Sequence, residues 1–295
     1  MRRGYRSGYR NYGNGGYRPP ARHDGPTRLR WFDTVAAFVQ DAERIVPSWD
    51  SHRNLDWWIE DTWDGVKAKA LNGDTSHVAK AEELMSKLEA QLETVHREQV
   101  FSMAGAWPDV GREVAGEPES MVYVEEDHSS VGPIRILVDA VSSAGVSAED
   151  LVDRGVTMLA LVMQCQQIRP TELWVLVGKD IAGSGGGFVC VKLGTTPLDI
   201  STACGVLTSP GFARALGYGW TDAAFGTGGA WAWGFSYTEV QGPAYEAKVR
   251  EMLGEQGSDT VYVPPYRLED PMAKDPVGFI NATLAKLRVR KQQED

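Results

Sequence analysis

Apolar residues return at helical spacing early in the chain: Phe32, Val35, Ala36, Phe38, Val39, Ala42 and Ile45 line one face of a helix that Pro47 ends. A longer helix is predicted over 76–97. There Val78, Ala81, Leu84, Met85, Leu88, Leu92 and Val95 share a face opposite Lys80, Glu82, Lys87, Glu89 and Glu93, with Thr75 and Ser76 as capping residues. Between the two helices Trp49, Trp57, Trp58 and Trp63 are dense enough to form a small packed core. Residues 31–104 therefore read as a helical subdomain. Residues 105–132 carry glycines and prolines too often for a long regular element, yet are too apolar for a linker, so they read as an ordered connection. The acids Asp109, Glu117, Glu119, Glu125, Glu126 and Asp127, with His128, read as a solvated run rather than a metal cluster.

Beyond Pro133 the pattern changes to alternating strands and helices. The run 134–139 is short, mostly apolar and rich in β-branched residues, ends in Asp139, and feeds a turn at Ser142, Ser143 and Gly145. Ser147 is the N-cap of a helix running to about Gln167, with Glu149 and Asp150 placed where negative charge suits the helix dipole. A second strand follows at 172–177, and a glycine turn over 183–187 sends it into a hairpin partner at 188–193. Helical signals at 198–207 and 210–216, an aromatic strand at 230–237, a helix at 243–253, a strand at 260–263 and a helix at 277–289 complete residues 133–295. Strands alternating with helices imply crossover connections, hence an α/β fold with a mostly parallel, three-layer sheet. In such sheets ligands sit at the carboxyl ends of the strands, which is where Asp139 stands.

Charge divides the chain. The formal net charge is −10, but residues 1–30 hold eight arginines against one acid, a local +7 that leaves −17 for the remainder. Arg2, Arg3, Arg6, Arg10 and Arg18 alternate with Tyr5, Tyr9, Tyr12, Tyr17 and several glycines, and almost no aliphatic side chain interrupts them. Such a segment cannot bury a core, so 1–30 reads as a disordered arm. Guanidinium groups pair with phosphates and phenol rings stack on unpaired bases, which suits these nine residues to sequence-tolerant nucleic-acid binding. An arm folded back on its own acidic body is the plainer alternative, and an arm that binds a partner protein is the third.

The loop after 134–139 resembles the von Willebrand factor A domain, whose metal-ion-dependent adhesion site follows a first strand with Asp-x-Ser-x-Ser. Here the stretch is Asp139-Ala140-Val141-Ser142-Ser143, with Asp139 and Ser143 at the first and last ligand positions and Val141 replacing the middle serine. The resemblance covers about 133–290 and implies a magnesium site at Asp139 and Ser143. Thr195 or Thr196 would supply the family's threonine, and the second aspartate would have to come from around Ser236 to Glu239, where only Glu239 is acidic. With one carboxylate and one hydroxyl the set is poor for a cation that wants six oxygens, so the expected cofactor is none. The whole chain also resembles uncharacterised proteins of bacteriophages and other mobile elements. The shared features are the Phe-containing first helix, the Gly-x-Pro-x-x-Met passage ending at Met121, and Arg154-Gly155 in the helix after Asp139.

Signatures of phosphate-cradling, serine-hydrolase and zinc-protease sites are missing, and the glycines at 183–187 lack the lysine a phosphate loop needs. Cys165, Cys190 and Cys204 fall in apolar segments and read as inert buried thiols of a reducing compartment. No apolar run approaches the roughly 20 residues that span a bilayer. The expectation is a non-enzymatic phage or mobile-element protein in the host cytoplasm or the virion. It would bind nucleic acid through its arm and a protein partner, or a second copy, through its α/β domain, with no membrane contact. The alternatives are a virion structural protein with a genome-facing arm, and an adhesion module or hydrolase centred on Asp139.

Overall fold

The computed structural model describes residues 28–46, 59–88, 97–102, 107–108, 110–118, 120–126, 133–142, 145–179, 187–225, 260–266 and 270–294. In chain order these residues form β1 (Arg28–Phe32), α1 (Val35–Ile45), α2 (Trp63–Asn72), α3 (Val78–Ser86), β2 (Arg97–Ser102), β3 (Trp107–Pro108), α4 (Val110–Val114) and β4 (Met121–Glu126). Then follow β5 (Ile134–Asp139), α5 (Ala148–Ile168), β6 (Thr171–Lys179), β7 (Gly187–Thr195) and α6 (Ile200–Leu207). A π-helical turn (Phe212–Gly217), α7 (Tyr218–Phe225), β8 (Thr260–Val263), α8 (Pro271–Lys274) and α9 (Pro276–Glu294) complete the order.

The fold is α/β. Its main sheet has the order β1-β7-β6-β5-β8, in which β5 pairs in parallel with β6 and β8, β1 pairs in parallel with β7, and only β6 and β7 run antiparallel. This mostly parallel sheet with its packed helices is of the three-layer α/β kind that the alternation of elements predicts. Helix α5 lies against β5 and β6, the π-helical turn and α7 against β6 and β7, and α1 against β7. Ile136, Val138, Leu173, Val175, Val189 and Val191 are buried between them.

The local signals explain why these elements form. The Ser147 Oγ accepts from the Asp150 amide at 3.0 Å and so caps α5, with Glu149 and Asp150 in its first turn. Thr34 and Thr62 cap α1 and α2 in the same way, accepting from Ala37 and Gly65. Gly155 has a packing reason: a Cβ there would sit 2.1 Å from the Leu207 carbonyl oxygen, so only glycine lets α5 and α6 approach this closely.

Three expectations differ from the structure. First, Arg28 to Arg30, inside the segment read as a disordered arm, and Phe32, read as part of the first helix, belong to a strand, because Arg28–Phe32 pairs with β7 at a partner more than 150 residues away. Arg28 is held there by donating to the Phe225 carbonyl at 2.7 Å, with its guanidinium over the Phe225 ring. Second, the helix expected over 76–97 ends at Ser86. Its last turn tightens into three-residue hydrogen bonds, Lys87 to Leu84 and Leu88 to Met85, and by Arg97 the chain is a strand. Third, β2, β4 and β3 make a separate antiparallel sheet, with Val100 opposite Tyr123, spanning the end of the expected helical subdomain and the expected connection. Helices α1 to α3 do not form a core of their own: Phe38, Val39, Val66, Ala70 and Ala81 belong to one cluster with the main sheet. The predicted strand at 230–237, the helix at 243–253 and the tryptophans at 49, 57 and 58 lie outside the described residues. No helix among the described residues is long and apolar enough to cross a membrane.

Candidate functional site at the carboxyl end of β5

Asp139 closes β5 and is fully buried. Its carboxylate accepts on both oxygens, from the Val141 amide at 3.0 Å and from the Tyr262 hydroxyl of neighbouring β8, also at 3.0 Å. The residue that opens the loop is therefore turned inward and ties β5 to β8. Beyond it, the Tyr218 hydroxyl spans the backbone of Ser142, taking the amide at 3.1 Å and donating to the carbonyl at 3.2 Å. Burial pushes the Tyr218 phenol up to about 12, so it stays a neutral donor across the physiological range. The π-helical turn immediately before Tyr218 carries Arg214, whose guanidinium donates to the Val146 carbonyl at 2.6 Å. Burial lowers the Arg214 pKa to about 10, which still leaves it charged at neutral pH. The loop between β5 and α5 is thus pinned from both sides of residues 143–144.

A second set of contacts reaches this loop from the C-terminal segment. Arg154, one helical turn and a half into α5, is buried and forms an ion pair with buried Asp270. The same guanidinium donates to the Pro264 carbonyl, extends toward the Asp139 carbonyl at 3.5 Å, and lies over the Tyr266 ring at 5.9 Å. Burial lowers the Arg154 pKa, while the Asp270 and Asp139 charges oppose that shift. Asp270 in turn accepts from the Met272 amide at 3.0 Å, and the Tyr266 amide donates to the Val141 carbonyl at 3.2 Å. Between Arg154, Val141, Tyr266 and Phe212 remains a largely apolar cavity of about 40 Å³, room for little more than a water molecule.

The site residues read from the sequence separate here. Arg2, Arg3, Tyr5, Arg6, Tyr9, Arg10, Tyr12, Tyr17 and Arg18 lie outside the described residues, as do Ser143 and the stretch 236–239. Thr195 and Thr196 are corrected by topology. Because β7 runs antiparallel to β6, its carboxyl end returns to the start of the sheet, where Thr195 faces Glu172 and the Thr196 hydroxyl binds the Thr171 amide at 2.7 Å. Asp139 stands at the opposite end, opposite Leu176, so neither threonine can share a cation with it. Among the described residues no group of three or more His, Cys, Asp or Glu gathers where a metal could sit. The three cysteines are buried, and desolvation pushes the Cys165 thiol up to about 12 and Cys190 higher still, where Asp139 adds to the effect. They remain protonated and unreactive.

What sequence reasoning missed is the network around Asp139: Arg154, Tyr218, Tyr262 and Asp270 reach it from segments up to 131 positions along the chain, and no local pattern marks them. A buried arginine in an otherwise apolar helix was the one available signal, since arginine is almost never buried without a partner. The geometry makes Asp139 a structural acceptor. Replacing Tyr262 by Phe should therefore lower the unfolding free energy by about 1 to 2 kcal/mol. Adding EDTA should leave the melting temperature of the unaltered protein within about 3 °C. A larger EDTA shift abolished by Asp139→Ala would support the magnesium reading.

A family model described as Domain of unknown function (DUF7192) matches residues 20–291. The chain belongs to this family. No curated protein and no solved structure matches it. The matched span takes in β1 and its pairing with β7, so the DUF7192 unit includes the edge strand at which the basic arm joins the sheet.

Proposed function

We propose that this DUF7192 protein is a nucleic-acid-associated protein of a bacteriophage or other mobile element. Its N-terminal arm holds phosphates and unpaired bases, and its acidic α/β body engages a protein partner. The observation that carries this reading is the charge split, redrawn at the point where the sheet begins. Residues 1–27 hold six arginines against Asp24, a local +5, and the remainder carries −15. An acidic body repels a polyanion, so affinity must come from the arm and must fall with salt as counterions are released. The arm's root is fixed: Arg28 is bonded to Phe225, and β1 lies at the sheet edge, so a strand bound by the arm is delivered to one place on the body.

The test is fluorescence anisotropy with a labelled oligothymidylate of about 20 nucleotides. Replacing Arg2, Arg3, Arg6, Arg10 and Arg18 together by serine in the full chain should weaken binding by about 100-fold or more at roughly 50 mM salt and flatten its salt dependence. The melting temperature should not move. Equal affinity of the two proteins would overturn the arm reading.

A further inference from the structure

We infer that the nucleic-acid path continues from the arm onto the edge of the main sheet, where Trp31 is a stacking platform for an unpaired base. The inference rests on the arm reading above and deepens it, since it selects single strands over duplex and names a residue on the folded body. Four observations carry it. Trp31 follows the arm within a few residues and is 40% exposed. Its ring is fixed rather than loose: it packs against Trp174 in a T-shaped pair with centroids 5.3 Å apart and planes at 89°. Cations stand beside the pair. Lys192 lies over the Trp174 ring at 5.3 Å, and Lys192 and Arg135 both bind Glu172 at 2.9 Å. Lys192 also lines a groove of about 470 Å³ with Asp33, Thr34, Thr195 and Leu71, reached from Trp31 within two residues along the chain and large enough for a nucleotide.

The plainer use of the two rings is packing alone, and the chemistry argues against it. A ring left 40% exposed keeps much of its apolar surface in water, a cost that a polar side chain would avoid at the same position. Exposed Trp31 adds little burial in return. Ring faces beside cations at the root of an Arg/Tyr arm match the recurring composition of single-strand binding surfaces, where bases stack on aromatic rings and basic groups follow the backbone. In duplex the bases are already stacked, so Trp31 has nothing to receive.

The experiment measures binding of labelled oligothymidylate, oligouridylate and a duplex to the full chain and to Trp31→Ala and Trp31→Phe. Trp31→Ala should bind either single strand about tenfold more weakly, the size of one stacked base. The factor should be the same at roughly 50 and 200 mM salt, because stacking releases no counterions. Trp31→Phe should recover most of the loss, and duplex affinity should be unchanged by either variant. Melting curves of both variants within a few degrees of the unaltered protein exclude misfolding as the cause. If Trp31→Ala binds single strands within twofold of the unaltered chain while the arginine variant fails, the platform is overturned and the arm reading stands. If the unaltered chain binds no nucleic acid, both are overturned. If Trp31→Ala instead disperses a dimer in sedimentation with binding intact, the face belongs to a second copy, and the inference is overturned in that case too.

Discussion

Asp270→Ala should destabilise the protein by about 3 to 5 kcal/mol in urea unfolding, the cost of leaving one member of a buried ion pair without its partner. The side chains of Arg154 and Asp270 are 6% and 3% exposed, so water cannot replace the lost carboxylate. Removal also takes the acceptor of the Met272 amide, a capping contact at the start of α8 worth about 1 kcal/mol. The double variant Arg154→Met, Asp270→Leu should regain most of the loss, because the isolated charge is gone and the volume is kept. A single variant within about 1 kcal/mol of the unaltered protein would show that Arg154 finds enough compensation in the Pro264 and Asp139 carbonyls. The consequence for the fold is specific. This pair joins α5 to the segment after β8 across 116 positions, so its loss should free the C-terminal segment first, seen as early amide exchange in 270–284.

The second large effect lies in the core. Leu159 is fully buried on α5, in the cluster shared by β5, β6 and α6. Leu159→Ala should lower stability by about 2 to 4 kcal/mol through lost transfer energy and the cavity left behind. The neighbouring strand position Val175 is 1% exposed and should respond in the same direction but less, since fewer atoms are removed. Values within about 0.5 kcal/mol, the range of surface sites, would contradict the packing of α5 on the sheet.

The helices and strands that the sequence announces are those whose signals are local. Ile134–Asp139 is a mostly apolar run rich in β-branched residues and appears as β5 at the predicted residues. Ser147 with two acids behind it caps α5, and the antiparallel step from β6 to β7 follows from a short connection between two apolar runs. The failures are equally physical. Arg28 to Arg30 look like the end of a basic tail and Phe32 like the start of a helix, because nothing within ten residues shows that β7 will pair with them. Leu92 and Val95 continue the helical period of α3, but α3 stops at Ser86 and the chain is extended by Arg97.

The same division holds at the site. Asp139 at a strand end was legible, and so was the imbalance between basic arm and acidic body, since both are properties of adjacent residues. That the Asp139 carboxylate accepts from a side chain of another strand was decided by β8, which brings Tyr262 to it from 123 positions away. Likewise the antiparallel turn of β7 sent Thr195 and Thr196 to the far end of the sheet. Periodicity, capping and charge act between neighbours in the chain and are written in its order. Strand order and the partners of buried polar groups depend on which distant segments the core can bring together, and only the folded chain decides that.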